Sequence, residues 1–192
     1  MSINKPLIVI VGPTASGKTK LSIKIAKRFS GEIICADSMT VYREMDIGTA
    51  KPTNKERKAI PYHLLDIKNP KEDFSLYEFQ KLAKKAITKI QSEGKLPLIV
   101  GGTGLFIDCI AYDYKLINVP PNLTLRKKLE KLESKELLER INKIDPELIA
   151  TSDIKNKRRL IRALEIASSG QNNISKQKRK KKIPKNILYL AI

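Results

Sequence analysis

The segment Gly12–Thr19 carries residue types that bind phosphate. Its sequence, Gly-Pro-Thr-Ala-Ser-Gly-Lys-Thr, has the spacing G-x-x-x-x-G-K-S/T of a phosphate-binding P-loop. In such a loop the glycines let backbone N–H groups turn toward an anionic oxygen, and the following helix adds the positive end of its dipole. Lys18 is expected to reach the outer phosphate oxygens, and the Thr19 hydroxyl is expected to ligate Mg²⁺. The predicted site for a diphosphate or triphosphate consists of Gly12, Pro13, Thr14, Ala15, Ser16, Gly17, Lys18 and Thr19.

Two further polar residues follow predicted strands. Asp37 comes after the apolar stretch Glu32–Cys35, and Thr103 lies in the turn Gly101–Gly104 that follows Leu96–Val100. Open α/β sheets bind ligands at the carboxyl ends of their strands, so we expect both residues near the P-loop. Asp37 can ligate Mg²⁺ or act as a general base, and Thr103 offers a hydroxyl beside backbone N–H groups. Spacing alone leaves open that each is an ordinary turn residue.

Alternating strands and helices are predicted to position these residues. The apolar run before the P-loop predicts a strand, and the apolar periodicity after it predicts a helix. Another helix is predicted after Ser75, which has the spacing of a capping box with Glu78. The alternation predicts an α/β fold, a P-loop NTPase-like, doubly wound and mainly parallel sheet. The predicted strands are Leu7–Val11, Glu32–Cys35, Pro61–Ile67, Leu96–Val100 and Ile187–Ile192.

The second half of the chain has a different character. Residues 1–113 are predicted to form the P-loop core, residues 114–175 a charged helical insertion, and residues 176–192 a basic loop and a strand that returns to the core. The net charge is +18, and residues 113–192 alone hold 20 basic and 9 acidic side chains. Such a surplus favours a polyanionic partner such as nucleic acid, because neutralising phosphates releases counterions. The run Lys176–Lys182 is expected to attract such a backbone non-specifically or to be only a solvated loop.

Composition excludes several classes of protein. No apolar run approaches the ~20 residues that cross a bilayer, and Met1–Lys5 leads directly into the first strand, without room for a signal peptide. Cys35 and Cys109 lack the spacing of a disulfide framework or a metal site and are expected to be buried thiols. His63, the single histidine, lies in an apolar stretch and is expected to be structural. These observations predict a cytoplasmic monomer with no membrane partner.

Six segments together resemble the family of tRNA dimethylallyltransferases, also called tRNA isopentenyltransferases. The P-loop is shared with many kinases, whereas Asp46–Pro52 and Arg158–Glu165 are far more restrictive, and all six segments occur in the family's order. The resemblance extends from about Leu7 to Ile192. The six segments are Gly12–Thr19, Ala36–Ser38 with Tyr42, Met45–Pro52, His63–Asp66, Gly101–Leu105 and Arg158–Glu165.

The resemblance implies a reaction and assigns roles in it. Members of the family transfer a dimethylallyl group from dimethylallyl diphosphate to N6 of the adenosine on the 3′ side of the tRNA anticodon, with Mg²⁺. The P-loop then binds the prenyl diphosphate, and Asp37 accepts the proton of the adenine amino group. Lys18 and an Mg²⁺ ion on Thr19, with Asp37 as a candidate second ligand, stabilise the diphosphate. The implied catalytic residues are Asp37, Thr103 and Lys18.

The resemblance also implies contacts with the tRNA anticodon stem-loop. The implied contact residues are Asp37, Ser38, Met39, Thr40, Thr103, Arg126, Arg158, Arg159, Leu160, Ile161 and Arg162. Two positions depart from the family pattern: Phe106 replaces a tyrosine, and Tyr62 stands where histidine or arginine is common. The family continues beyond the point where this chain stops, so the chain is expected to lack the C-terminal third.

Two other functions remain open at this point. A P-loop kinase for a small molecule would use ATP in the same loop, although the basic second half has no purpose there. A tRNA-binding fragment without catalysis would keep the basic surface and lose the reaction.

Overall fold

We describe the protein from a computed structural model, which places residues 5–151, 155–170 and 182–192. The chain divides into two compact units. The first, which we call the sheet unit, comprises Met1–Asp113 and Lys181–Ile192, and the second, the helical unit, comprises Tyr114–Lys180. Most of the predicted basic run, residues 176–181, lies outside the described residues.

The sheet unit is built on five parallel strands in the order β3-β2-β4-β1-β5. The predicted α/β class and the parallel sheet are therefore confirmed. The last strand pairs with β1 over its whole length, from Leu7 opposite Ile187 to Val11 opposite Ala191. The strands are β1 Leu7–Val11, β2 Gly31–Cys35, β3 Tyr62–His63, β4 Leu96–Gly101 and β5 Ile187–Ala191.

Helices cover both faces of this sheet. They are α1 Lys18–Arg28, α2 Asn54–Ala59, α3 Leu76–Ser92 and α4 Gly104–Ala111. One face packs against α1, where Ala26 joins Ile10, Ile33 and Leu98 in a buried cluster. Strand neighbours point to opposite faces, so Val9, Ile34 and Ile99 face the other side, which α3 and α4 cover. There Phe79 of α3 stacks on Phe106 of α4 with ring centroids 4.2 Å apart.

Two helix starts differ from the sequence-based prediction. The Ser75 hydroxyl accepts a hydrogen bond from the Glu78 N–H at 3.1 Å, which confirms the N-cap. The Glu78 carboxylate, however, lies 2.8 Å from Lys68 Nζ, so it forms an ion pair and no reciprocal capping bond is recorded. A complete capping box instead joins Thr53 and Glu56 at the start of α2, a helix that is not among the predicted elements.

The helical unit has a hydrophobic core of its own. Its helices are α5 Leu123–Leu129, α6 Ser134–Ile144, α7 Pro146–Thr151 and α8 Lys157–Ser168. The buried members of the core include Leu129, Leu137, Ile141, Leu148, Leu160, Ile161 and Leu164. None of the helices within the described ranges has the length and apolar character needed to cross a membrane.

Candidate active site

The P-loop joins β1 to α1 through a backbone that only small residues permit. Gly17 precedes the helix with a φ of 89°, in the left-handed region that favours glycine, and Ala15 has a φ of 66°. A Cβ atom at Gly12 would lie 2.2 Å from the carbonyl oxygen of Ile192, so no other residue fits there. Lys18 Nζ donates a hydrogen bond to the Pro13 carbonyl oxygen, which holds the ammonium group over its own loop.

A pocket of about 350 Å³ opens beside this loop within the sheet unit. One part of its wall is the P-loop with the first turns of α1, and another is the segment that leads into α2. Its polar lining residues are Thr14, Lys18, Thr19, Lys20, Ser22, Asp37, Thr40, Thr49, Glu56 and Tyr62. The predicted phosphate loop and the predicted carboxylate therefore share one pocket.

Asp37 is held in a tight turn after β2. Its Oδ1 atom accepts hydrogen bonds from the backbone N–H groups of Met39 at 2.9 Å and Thr40 at 3.4 Å. Its Oδ2 atom lies close to Gly102: a Cβ atom added to that glycine would be 3.7 Å from Oδ2. Asp37 and Gly102 both line the pocket. Within the described ranges Oδ2 accepts no recorded hydrogen bond. One oxygen thus orients the carboxylate and the other can accept a proton.

Thr103 links the turns that follow β2 and β4. Its Oγ1 atom accepts a hydrogen bond from Ser38 N–H at 3.0 Å, and its own N–H donates to the Ala36 carbonyl at 3.2 Å. The turns approach so closely that a Cβ at Gly101 would lie 2.0 Å from the Ala36 oxygen. Thr103 is not among the residues that line the pocket. In the structure Thr103 thus positions the Asp37 turn, and the catalytic role that the resemblance implies stays a prediction.

Replacing Thr103 tests this positioning role. Thr103→Val keeps the shape and removes the acceptor for Ser38 N–H, so the Asp37 turn loses its link to β4. We expect Thr103→Val to lower the rate of the reaction at this pocket about tenfold. Thr103→Ser, which keeps the hydroxyl, should retain most of the activity. Steady-state kinetics with both variants measure the difference. Equal losses in the two variants would contradict a role for the hydroxyl.

Three buried hydroxyl groups in the described part of the chain have no hydrogen-bond partner there: Ser16 Oγ, Thr40 Oγ1 and Tyr62 OH. Thr40 and Tyr62 line the pocket, and Ser16 belongs to the P-loop. A buried hydroxyl without a partner carries a desolvation cost, so these groups mark where polar atoms of an occupant would bind. Thr40 is only 6% exposed. It therefore belongs to the pocket wall, and its contact with tRNA stays a prediction.

An ion-pair network that sequence reasoning missed supports the other pocket wall. The side chain of Lys51 is 2% exposed, and its Nζ atom donates to Asp66 at 2.6 Å, to Asp46 at 2.9 Å and to the Tyr42 carbonyl at 2.6 Å. Asp66 also binds Arg57 at 2.6 Å. Burial alone would raise the pKa of Asp66, but the hydrogen bonds from Lys51 and Arg57 lower it below its ordinary value. The available signal was Lys51 five residues after Asp46, within the segment Met45–Pro52 that carries the family resemblance.

His63 takes no part in the pocket. Its Nε2 atom lies 2.6 Å from Glu32 Oε2, and the other oxygen of that carboxylate binds Lys95 Nζ at 2.6 Å. Burial raises the pKa of Glu32, and the bonds from Lys95 and His63 lower it more, so that the pKa lies below its ordinary value. The histidine thus belongs to a hydrogen-bonded cluster around the buried Glu32 carboxylate, in agreement with the predicted structural role.

In the helical unit, the predicted tRNA-binding arginines fall into two groups. Arg126 and Arg162 both bind the carboxylate of Glu165, which is 1% exposed and also accepts the Asn122 N–H at 2.6 Å. Burial raises the pKa of Glu165, but the bonds from Arg126 and Arg162 outweigh this and lower it to about 2. Two of the predicted RNA contacts are therefore engaged in an internal ion-pair cluster.

The other predicted contacts on α8 differ in exposure. Leu160 and Ile161 are 2% and 5% exposed and belong to the core of the helical unit. Their side chains pack inward, so the tRNA contact at these two positions is left to backbone atoms and stays a prediction. The reason is helical periodicity, because a continuous segment of α8 presents some residues to the core and others to solvent. Arg158 and Arg159 are on the exposed side.

Comparison with known proteins places the chain in a family. A sequence profile of the IPP transferase family matches residues 40–192. A tRNA dimethylallyltransferase from Anoxybacillus flavithermus is 51% identical over 164 residues, which are 85% of this chain and 53% of that protein. The chain thus spans about half the length of the curated relatives it matches.

Solved structures give the same result. The crystal structure of the full-length tRNA isopentenylpyrophosphate transferase from Bacillus halodurans matches 88% of this chain and 57% of its own, with 45% identity and a TM-score of 0.58. A eukaryotic dimethylallyltransferase captured acting on tRNA matches 97% of this chain and 48% of its own, with 30% identity and a TM-score of 0.81. The chain belongs to the IPP transferase family, the tRNA dimethylallyltransferases.

Proposed function

We propose that this protein transfers a dimethylallyl group from dimethylallyl diphosphate to N6 of the adenosine on the 3′ side of the tRNA anticodon. The observation that carries the proposal is that Asp37 lines the same pocket as the P-loop. An anion-binding loop beside an oriented carboxylate suits a reaction in which a diphosphate leaves and a proton is removed.

The proposed reaction uses the P-loop for the leaving diphosphate and Asp37 for the proton. The N6 nitrogen forms a bond to C1 of the prenyl donor, the bond between C1 and the diphosphate oxygen breaks, and the proton from nitrogen passes to Asp37 Oδ2. An aromatic amine is a weak nucleophile, so a positioned base contributes about 10²–10⁴-fold to the rate. The turn that fixes Oδ1 supplies that positioning.

The P-loop stabilises the departing diphosphate. Its backbone N–H groups and the start of α1 direct partial positive charge at the anion. Lys18, which lines the pocket, adds a full positive charge. Donors already arranged where charge develops are often the largest single contribution to catalysis. Transfer of the Lys18 ammonium from the Pro13 carbonyl to the diphosphate would exchange one hydrogen bond for a charge-assisted one.

The pocket residues fit a magnesium ion. Mg²⁺ takes oxygen ligands and is usually bound by one or two protein groups together with substrate phosphates. The Thr19 hydroxyl and the Asp37 carboxylate line the pocket, and the described residues hold no cluster of three metal-binding side chains that would form a complete protein site. We propose that Thr19 holds the ion together with the diphosphate oxygens, where it would neutralise negative charge on the leaving group, while Asp37 Oδ2 stays available to accept the proton.

Recognition of the tRNA requires exposed cations and access to a base. An adenine that reacts at N6 must leave the stack of the anticodon loop to enter a pocket. We assign the backbone contacts of the helical unit to Arg158 and Arg159, whose side chains are exposed, with Arg126 and Arg162 contributing the half-exposed outer parts of their guanidinium groups.

A substitution of Arg158 tests this assignment. We expect Arg158→Ala to weaken tRNA binding and to reduce the slope of log K against log salt concentration by about 1, as the loss of one phosphate contact should. Binding titrations over a range of NaCl concentrations measure the slope. Lys143→Ala, which removes an equal charge from an exposed position on α6, is the matched control and should leave the slope nearly unchanged.

The function itself is tested by mass spectrometry of tRNA after incubation with the protein, dimethylallyl diphosphate and Mg²⁺. The expected product is tRNA with one N6-dimethylallyl adenosine. Transfer of the γ-phosphate of labelled ATP to a small molecule, without prenylation, would instead show the kinase. Binding of an anticodon stem-loop without any prenyl-adenosine would show a tRNA-binding protein that lacks the reaction.

A further inference from the structure

A second concave surface of the sheet unit carries lysines that the proposed reaction does not use. This groove has a volume of about 440 Å³. It lies between α3 and the segment that follows β3, and none of its lining residues lines the phosphate pocket. Its floor is formed by the apolar residues Leu64, Ile67, Leu82 and Ala86, and its polar residues are His63, Lys68, Glu78, Lys85 and Lys89.

Acids neutralise only some of the cations in this groove. Lys68 Nζ lies 2.8 Å from Glu78 Oε1 and 3.5 Å from Glu72 Oε1. Lys85 and Lys89 have no recorded acid or hydrogen-bond partner for their ammonium groups within the described ranges, and both are exposed. The uncompensated positive charge of the groove therefore comes from α3.

The two lysines continue a row on one face of α3. Lys81, which is also exposed, precedes Lys85 by four residues as Lys85 precedes Lys89, so their Cα atoms rise by about 6 Å per step along the helix. Like charges at this spacing destabilise a helix. The nearby acids do not relieve the repulsion, because Glu78 binds Lys68 and Glu93 binds Lys95 at 2.8 Å.

We propose that the row Lys81, Lys85 and Lys89, together with the apolar floor of the groove, binds the phosphodiester backbone of the substrate RNA. The lysine spacing is comparable with the separation of neighbouring phosphates in an RNA strand, and ammonium groups bind phosphates as compact point charges. The apolar floor suits an unstacked base beside that strand. This inference rests on the proposed function and adds a contact surface on the sheet unit to the arginines of the helical unit.

The test compares two variants of the full chain that lose the same charge. The first carries Lys81→Gln, Lys85→Gln and Lys89→Gln. The control carries Lys24→Gln, Lys27→Gln and Arg28→Gln, which are exposed positions of α1 on the other face of the sheet. Binding of tRNA is measured by fluorescence anisotropy across a NaCl series, and a thermal melt of each variant checks the fold.

We expect the α3 variant to reduce the salt slope by about 2 to 3, because each phosphate contact contributes about 0.7–0.9, and to weaken binding at least tenfold at low salt. The α1 variant should change the slope by less than 1. The melting temperature of the α3 variant should not fall, since a row of like charges has been removed.

The remaining outcomes overturn the inference. Equal slope changes in both variants would show an effect of net charge alone, and an unchanged slope in the α3 variant would show that the groove does not contact RNA. Binding of polyglutamate that is lost in the α3 variant, while binding of tRNA at equal charge concentration is unchanged in it, would identify an acidic protein as the partner. A wild-type chain that binds no tRNA would contradict the proposed function as well, whereas normal binding by the α3 variant contradicts this inference only.

Discussion

Asp37→Asn is expected to lower the rate of prenyl transfer by about 10²–10⁴-fold and to leave the melting temperature and tRNA affinity nearly unchanged. The asparagine side chain keeps an oxygen that can accept the Met39 and Thr40 N–H groups, as Asp37 Oδ1 does at 2.9 and 3.4 Å. What it loses is the capacity to take a proton at the second position. Single-turnover measurements with saturating tRNA separate this chemical step from binding.

Asp37→Ala is the comparison that separates the two duties of the residue. Alanine removes both the proton acceptor and the acceptor of the turn, so we expect the same loss of rate. The free energy of unfolding should also fall by about 1 kcal/mol for the lost hydrogen bonds, which lowers the melting temperature. Affinity for tRNA should stay within about tenfold of wild type. If Asp37→Asn keeps most of the rate while Asp37→Ala abolishes it, Asp37 serves the turn and not the proton transfer.

The parts of the site that follow from short-range rules were predictable from the sequence. The P-loop is a local strand–turn–helix pattern, and Asp37 follows an apolar stretch that could only be a buried strand. The last strand, Ile187–Ala191, could be recognised as β-prone, but its place beside β1 depends on a long-range pairing that no local pattern specifies. The predicted strand Pro61–Ile67 was too long, since Leu64 and Asp66 have positive φ angles of 60° and 55° that end it.

The parts of the site that the sequence did not reveal are pairings between distant charges. A lysine such as Lys51 looks like a surface residue until Asp46 and Asp66 are known to surround it. The position of its turn at the edge of the sheet predicted that Thr103 lies near the P-loop, and the resemblance implied that its hydroxyl is catalytic. Its bond to Ser38, which is 65 residues away in the chain, shows that the hydroxyl serves the neighbouring turn. The sequence predicts at which edge of the sheet a side chain lies, whereas its hydrogen-bond or ion-pair partner is known only from the folded structure.

The ion pairs of the arginines in the helical unit could not be predicted from the sequence either, and we expect them to make the largest contribution to stability. Glu165 is 1% exposed and receives hydrogen bonds from Arg126 at 2.8 Å, from Arg162 and from the Asn122 N–H. We expect Glu165→Gln to destabilise the helical unit by about 3 kcal/mol at neutral pH, because the change leaves two clustered guanidinium groups without their counterion. Thermal melts followed by circular dichroism measure the loss, and Glu139→Gln, an exposed glutamate on α6, is the matched control.

The effect should depend on pH in a defined direction. The pKa of Glu165 is lowered from an ordinary value of 4.5 to about 2 in the folded protein, with burial opposing the shift and the bonds from Arg126 and Arg162 outweighing it. A depressed folded-state pKa stabilises the protein above the unfolded-state value, and the contribution disappears as pH falls through the folded-state value. The stability difference between wild type and Glu165→Gln should therefore be complete above about pH 5 and shrink between pH 4.5 and 2. A difference that is constant over that range would show that the carboxylate charge is not what stabilises the cluster.

Separating stability from RNA binding decides what the arginines do. If Arg126 and Arg162 hold Glu165, then Arg162→Ala should lower the melting temperature, whereas Arg158→Ala should leave it unchanged. The salt slope of tRNA binding should change less in Arg162→Ala than in Arg158→Ala. Arg162→Lys keeps the charge but cannot reproduce the planar contact with the carboxylate, so it should retain the salt slope and lose stability. The opposite result, a normal melt with a reduced slope in Arg162→Ala, would mean that its guanidinium serves the RNA and that Glu165 only orients it.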